Sequence, residues 1–218
     1  MASSVLTTSA GQAALDELLQ PDPRDGNGDR EERVVVCGIS WERYLAFDKK
    51  LGDDRPGPRL YYLDGELEIM TTSNEHERIK KSIASLMEVY FEETDIEIIP
   101  RGQATMRLED MKKAGAEPDE SYCIGTEKEF PDLVLEIALT SGGVSKLDIY
   151  ARFKVPEVWL WRPKKLEILI LDNSGNYESA QTSHFLPGLD TALLERCVAM
   201  PSWQWARRTF RAALAKRG

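Results

Sequence analysis

A mixed α/β fold, with a central mixed β-sheet flanked by helices, follows from three observations on this 218-residue chain. Strand-length apolar or alternating runs recur along it. One long amphipathic helix stands early and a shorter helical segment stands late, an order that suits an α/β or α+β architecture. Composition agrees, because 42% apolar and 30% charged residues in a chain of domain length suit a globular body with a sizeable core.

Residues 1 to about 33 stand apart. GQAALDELLQ can make a short helix, but PDPRDGNGDREER is polar and rich in turn formers, so a flexible N-terminal arm is expected before one domain over 34–218. VVVCGI (34–39) reads as a strand, and Ser40 then caps the helix WERYLAFDKKL, with Glu42 in its first turn. After the turn-rich GDDRPGPR, RLYYLDGELEIM (59–70) reads as a hairpin whose Asp64-Gly65 pair suits a type I′ turn. A helix from about Asn74 to Glu93 follows, its apolar face built by Ile79, Ile83, Leu86, Met87 and Tyr90. IEIIP, QATMRL, SYCI and LVLEIAL are short strands between polar loops. SKLDIYARF is helical, EVWLW is a strand, and LEILILD and YESA are arms of a second hairpin. From Asp190 the chain is mostly helical.

Several function classes are disfavoured. No apolar run approaches the roughly 20 residues that cross a bilayer, and MASSVLTTSAGQ lacks the basic and apolar regions of a secretory signal. Cys37, Cys123 and Cys197 are too few and too scattered for a disulfide frame or a zinc knuckle. A cytoplasmic protein with reduced thiols is the expectation. The net charge of −9 argues against a general nucleic-acid binder, but allows an enzyme whose carboxylates meet a bound cation. From Trp203 the charge reverses, with Arg207, Arg208, Arg211, Lys216 and Arg217 and no acid. That end reads as a solvated amphipathic helix, with phosphate contact as the alternative. No P-loop or nucleophile-elbow pattern occurs.

The chemistry concentrates around two Pro-Asp pairs, Pro118-Asp119 and Pro131-Asp132. The second opens Leu133–Ala138, which is apolar except at Glu136. A buried carboxylate needs a partner, a metal or a proton. Side chains alternate along a strand, so Asp132, Val134, Glu136 and Ala138 share a face opposite Leu133, Leu135 and Ile137. If SYCI pairs antiparallel with this strand, Asp119 approaches Glu136. Two such carboxylates suit magnesium, which takes oxygen ligands and keeps several waters. Lys146, at the start of a helix, can orient or deprotonate an attacking water. Blander readings stand beside this one: turn-forming Pro-Asp pairs, an ion pair between Glu136 and Lys146 without catalysis, and a solvated Glu66. His76, near a helix start, is either inert or a base or phosphate contact, and Glu157 pairs or caps locally.

LYYLDGELEIM, Ser73-Asn74-Glu75-His76, AEPDESYCI, FPDLVLEIALTSGG, KLDIYARFKVPEVWLW and LPGLD together resemble the Uma-two family, within the PD-(D/E)XK nuclease superfamily, over roughly residues 35–195. The resemblance implies a restriction-endonuclease-like core and a magnesium-dependent endonuclease, with manganese able to substitute. It also implies DNA as partner and a homodimer that cuts both strands. Asp119 then stands for the strand aspartate, Glu136 for the acid of (D/E)XK and Glu66 for an additional acid, all three as metal ligands. The sequence departs from the superfamily pattern at Ala138, where lysine is expected two residues after the acid. Lys146 matches a family lysine displaced onto the following helix. Tyr150 matches a tyrosine that packs. A nuclease-like fold that binds nucleic acid or protein without catalysis is the alternative.

Overall fold

Residues 30–52, 57–109, 113–140 and 142–216 are described by the computed structural model. The expected arm lies outside these residues as far as position 29. From Glu31 onward the chain forms one unit. Its elements begin with β1 (Arg33–Cys37), α1 (Trp41–Leu51), β2 (Arg59–Leu63), β3 (Glu66–Met70) and α2 (Asn74–Glu93). Then come β4 (Ile98–Pro100), β5 (Met106–Leu108), β6 (Ala114–Ala116), β7 (Glu120–Ile124) and β8 (Leu133–Ile137). The chain continues through α3 (Lys146–Arg152), β9 (Glu157–Arg162), β10 (Lys165–Leu171), β11 (Tyr177–Ala180), α4 (Thr191–Val198) and α5 (Trp203–Leu214).

The expected α/β class holds, but the strands divide between two sheets. The mixed sheet runs β11-β10-β9-β8-β7-β4, with β8 and β9 parallel and the other pairs antiparallel. A wholly antiparallel sheet runs β1-β3-β2-β6-β5. The β2–β3 hairpin sits in the middle of this second sheet because both of its faces are apolar. Leu60, Tyr62 and Leu67 pack on Trp41 and Tyr44 of α1, whereas Tyr61 and Met70 face the opposite way. The turn is the expected one, with Asp64 at φ 48° and Gly65 at φ 91°.

Alternation along β8 divides the main core. Leu133, Leu135 and Ile137 join Ile79, Ile83, Leu86, Met87 and Tyr90 of α2 in one buried cluster, together with α4 and α5. Val134 faces a second cluster with Tyr61 and Met70 of the antiparallel sheet and Ile149, Tyr150 and Phe153 around α3. Glu136 shares the face of Val134, so the carboxylate is directed among residues of both sheets and α3. No described helix is long and apolar enough to cross a membrane. All three cysteines are free, with Cys37 exposed and the other two buried.

Candidate active site

Strand pairing assembles the acidic pair. Antiparallel register matches Glu120 with Leu135 and Ser121 with Val134, so one step further Asp119 stands opposite Glu136. The Ile137 backbone N–H donates to Asp119 Oδ2 at 2.6 Å, which ties the aspartate to β8 beside Glu136. Both carboxylates are almost wholly buried. Two adjacent buried anions are costly unless positive charge or donors surround them.

The chain supplies that compensation from three elements. Arg59, first residue of β2, forms an ion pair with Asp119 and reaches Glu77 at 3.0 Å with its other terminal nitrogen. His76, in the first turn of α2, places Nε2 3.3 Å from Asp119 Oδ2. Lys146 Nζ donates to Glu136 Oε2 at 2.8 Å, and the Tyr150 hydroxyl, one turn later on α3, donates to Glu136 Oε1. Tyr61 donates to the Glu117 carbonyl at 2.8 Å, lies 3.4 Å from both Glu136 oxygens and offers its ring to Lys146, 3.8 Å from Nζ. Burial alone would lower the pKa of the Lys146 ammonium, but the Glu136 carboxylate and Tyr61 outweigh it and hold the amine well above its usual range. Burial next to Glu136 likewise keeps Tyr61 and Tyr150 protonated far above the ordinary phenol value.

Of the residues expected from sequence, the structure brings Asp119, Glu136 and Lys146 together and does not bring Glu66. Glu66 is exposed at the start of β3, 3.9 Å from the Cys37 sulfur. The acid of this strand that turns inward is Glu68, two residues on and fully buried. Its carboxylate is 3.1 Å from Arg33 Nε and accepts from the Val144 N–H at 2.8 Å. Burial raises the Glu68 pKa, opposed by Lys146 and Arg33. Period two alone could not separate the two glutamates, because both occupy the same face. What distinguishes them is distance from the turn, since Glu66 pairs with Leu63 at the hairpin's turn end and Glu68 with Tyr61 in its middle. Arg59 and Tyr61 were also missed, although the alternation of RLYYL places them on one face. Glu157 behaves as expected: Trp159 Nε1 and the His184 N–H both bond to its carboxylate.

The acidic pair opens towards solvent on the Asp119 side. A pocket of about 470 Å³ is lined there by Thr72, Glu77, Lys80, Lys81, Gln103 and Asp119, among others. Lys80 is 2.5 Å from Glu77, and the His76 and Lys80 contacts hold the Glu77 carboxyl well below the usual range despite partial burial. Lys80, paired with Glu77, and Lys81, 3.5 Å from Glu120, thus stand beside a buried carboxylate at the mouth of the site, where a phosphodiester and a cation together can exchange with these partners. Among the described residues, no three His, Cys, Asp or Glu side chains group as a ready-made metal cage. Two carboxylates completed by water is nevertheless a donor set that magnesium takes, so the pair fits such an ion once Arg59 yields its place on Asp119.

A family model and a solved structure match the chain. A family model described as "Putative restriction endonuclease", Uma2, matches residues 41–207, most of the chain. Among solved structures, the chain is similar to one from Anabaena variabilis described as a "putative nuclease belonging to DUF820". Identity is 15% and the TM-score 0.47, over 79% of this chain and 99% of that one. No curated protein matches.

Proposed function

The chain belongs to the Uma2 family, and on that premise we propose that it is a metal-dependent endonuclease hydrolysing phosphodiester bonds of DNA. The observation that carries this reading is the 2.8 Å contact between Lys146 and Glu136, across from Asp119. It supplies from α3 the ammonium that Ala138 cannot supply from the strand. Asp119 and Glu136 hold the ion, magnesium or manganese in its stead, and Glu68 rather than Glu66 is the further acid nearby. The bound ion would neutralise charge on the phosphate and lower the pKa of a water. Lys146, whose ammonium form Glu136 and Tyr61 favour, orients the attacking water and stabilises developing negative charge. Tyr150 fixes the Glu136 carboxylate from the side opposite Lys146, and Lys80 and Lys81 receive the substrate phosphate.

We place this activity in the cytoplasm, where free thiols persist, and in a two-fold homodimer that presents two sites to the two strands. Plasmid DNA incubated with the pure protein and magnesium is expected to be nicked or linearised. EDTA, Glu136→Gln and Lys146→Ala are each expected to abolish the product. Failure to cut supercoiled, linear or single-stranded DNA with either magnesium or manganese would sink the proposal. A second reading, a nuclease-like fold that binds without cutting, draws support from Arg59, which already compensates Asp119. It expects no heat of magnesium binding by calorimetry while DNA is still bound.

A further inference from the structure

Beside the pocket at Asp119 lies a second depression of about 350 Å³, and the two share Glu77 and Lys81. Arg78, Lys81 and Ser82 of α2 face Trp203 of α5 across a floor that includes Cys197 and Met200. Trp203 is 52% exposed, so core packing does not account for this large aromatic side chain. The ring is nonetheless held in place. The Arg207 guanidinium lies over it, 4.9 Å from the ring centre, and is itself anchored by a 2.7 Å bond to the Ser85 carbonyl. Arg78 and Lys81 are exposed on the facing helix. Of the basic residues in the C-terminal segment, Arg207 stands at this groove, whereas Arg211 pairs with Glu92 and Glu93.

An anchored indole with cations on both sides, continuous with a pocket that ends at a buried carboxylate, combines a stacking platform with a backbone track. We infer that this groove binds single-stranded DNA. One base stacks on Trp203, adjoining phosphates meet Arg78 and Lys81, and the strand passes on to the pocket at Asp119. A paired base cannot lie on the indole without leaving its stack. The substrate class is therefore DNA with an unpaired segment, such as an end, a flap, a gap or the locally unwound stretch of a supercoiled plasmid. The inference rests on the nuclease reading for the neighbouring pocket.

The test is a fluorescence-anisotropy titration of the full chain with a labelled oligothymidylate of about twelve nucleotides, within the span that single-strand sites commonly cover. EDTA is present so that cleavage does not intervene. Trp203→Ala is expected to weaken binding about 5- to 150-fold, the loss of one stacked base. Trp205→Ala, on the same helix and 68% exposed but outside the groove, is expected to bind as the wild type does. Circular dichroism melts of both variants establish that they are folded. Unchanged affinity in folded Trp203→Ala, or no binding of the oligonucleotide by the wild type, overturns the inference. Tighter binding of an oligouridylate of equal length overturns its assignment to DNA. Binding through Trp203 with no cleavage of any DNA sinks the nuclease reading alone. Cleavage of DNA with Trp203→Ala binding unchanged sinks this inference alone.

Discussion

Lys146 and Glu136 decide most at the scale of single residues. The lysine side chain is 17% exposed and the glutamate 1%, so the pair is largely shielded from screening water. Removing one member of such a pair leaves an uncompensated charge and costs about 3–5 kcal/mol. Lys146→Ala falls at the low end, about 3 kcal/mol by urea unfolding, because Tyr150 still donates to Glu136. A loss under about 1 kcal/mol would mean that the pair behaves as a surface ion pair. The sign of its pH dependence follows from the raised lysine pKa. The contribution is complete below the unfolded value of about 10.4 and declines only as pH rises beyond it. Wild type and variant should therefore differ by a constant amount between about pH 7 and 9.5. Arg59 gives a second prediction, since it occupies Asp119. Arg59→Gln should melt below the wild type in EDTA and recover more on magnesium addition than the wild type gains. Equal gains in the two proteins would remove Asp119 from the ion's ligands.

Elements set these residues by their ends rather than their middles. Lys146 opens α3 just after the Ser145 cap, which accepts from the Asp148 N–H at 3.4 Å, and Glu68 holds the preceding loop through Val144. Gly143, at φ +93°, fits only because it lacks a side chain; a Cβ there would lie 2.0 Å from Glu68 Oε2. Gly142 has a similar backbone, φ +99°, but open space around it. Gly142→Ala should thus cost about 1–2 kcal/mol of backbone strain. Gly143→Ala should cost clearly more and should also lower cleavage, because the loop leading to Lys146 loses its tie. Equal melting temperatures for the two variants would mean that Glu68 does not fix the loop. This dependence on ends explains what could be read in advance. The period-3.6 run of α2, the Ser40 cap and the Asp64-Gly65 turn are local signals, and each element stands where they placed it. β6 carries no such signal. Its Ala-Gly-Ala sequence has no strand propensity and is small because Tyr44 packs on it, 2.3 Å from where a Gly115 Cβ would be. The division into two sheets was equally hidden, since period two gives a strand's faces but not its neighbours. Asp119, Glu136 and Lys146 were legible because a lone acid in an apolar strand demands compensation. Arg59 and Glu68 enter only through pairing across the sheets.

At the scale of the whole molecule, charge and its placement pull in opposite directions. A net charge of −9 repels a polyanion at long range. Attraction must then come from a few cations beside the site and be felt within about 10 Å at ordinary salt. The groove and the pocket it joins offer Arg78, Lys81 and Lys80, and each phosphate neutralised on a single strand contributes about 0.7 to the salt exponent. The logarithm of the association constant should accordingly fall with the logarithm of salt at a slope near about −2. Oligothymidylate titrations between 50 and 200 mM sodium chloride would measure it, a range over which strongly basic binders lose several orders of magnitude. Arg78→Ala should make the slope shallower by about 0.7 while lowering affinity. A slope steeper than about −5 would require some seven phosphate contacts, more cations than the groove holds, and would move the binding surface to another face of the protein.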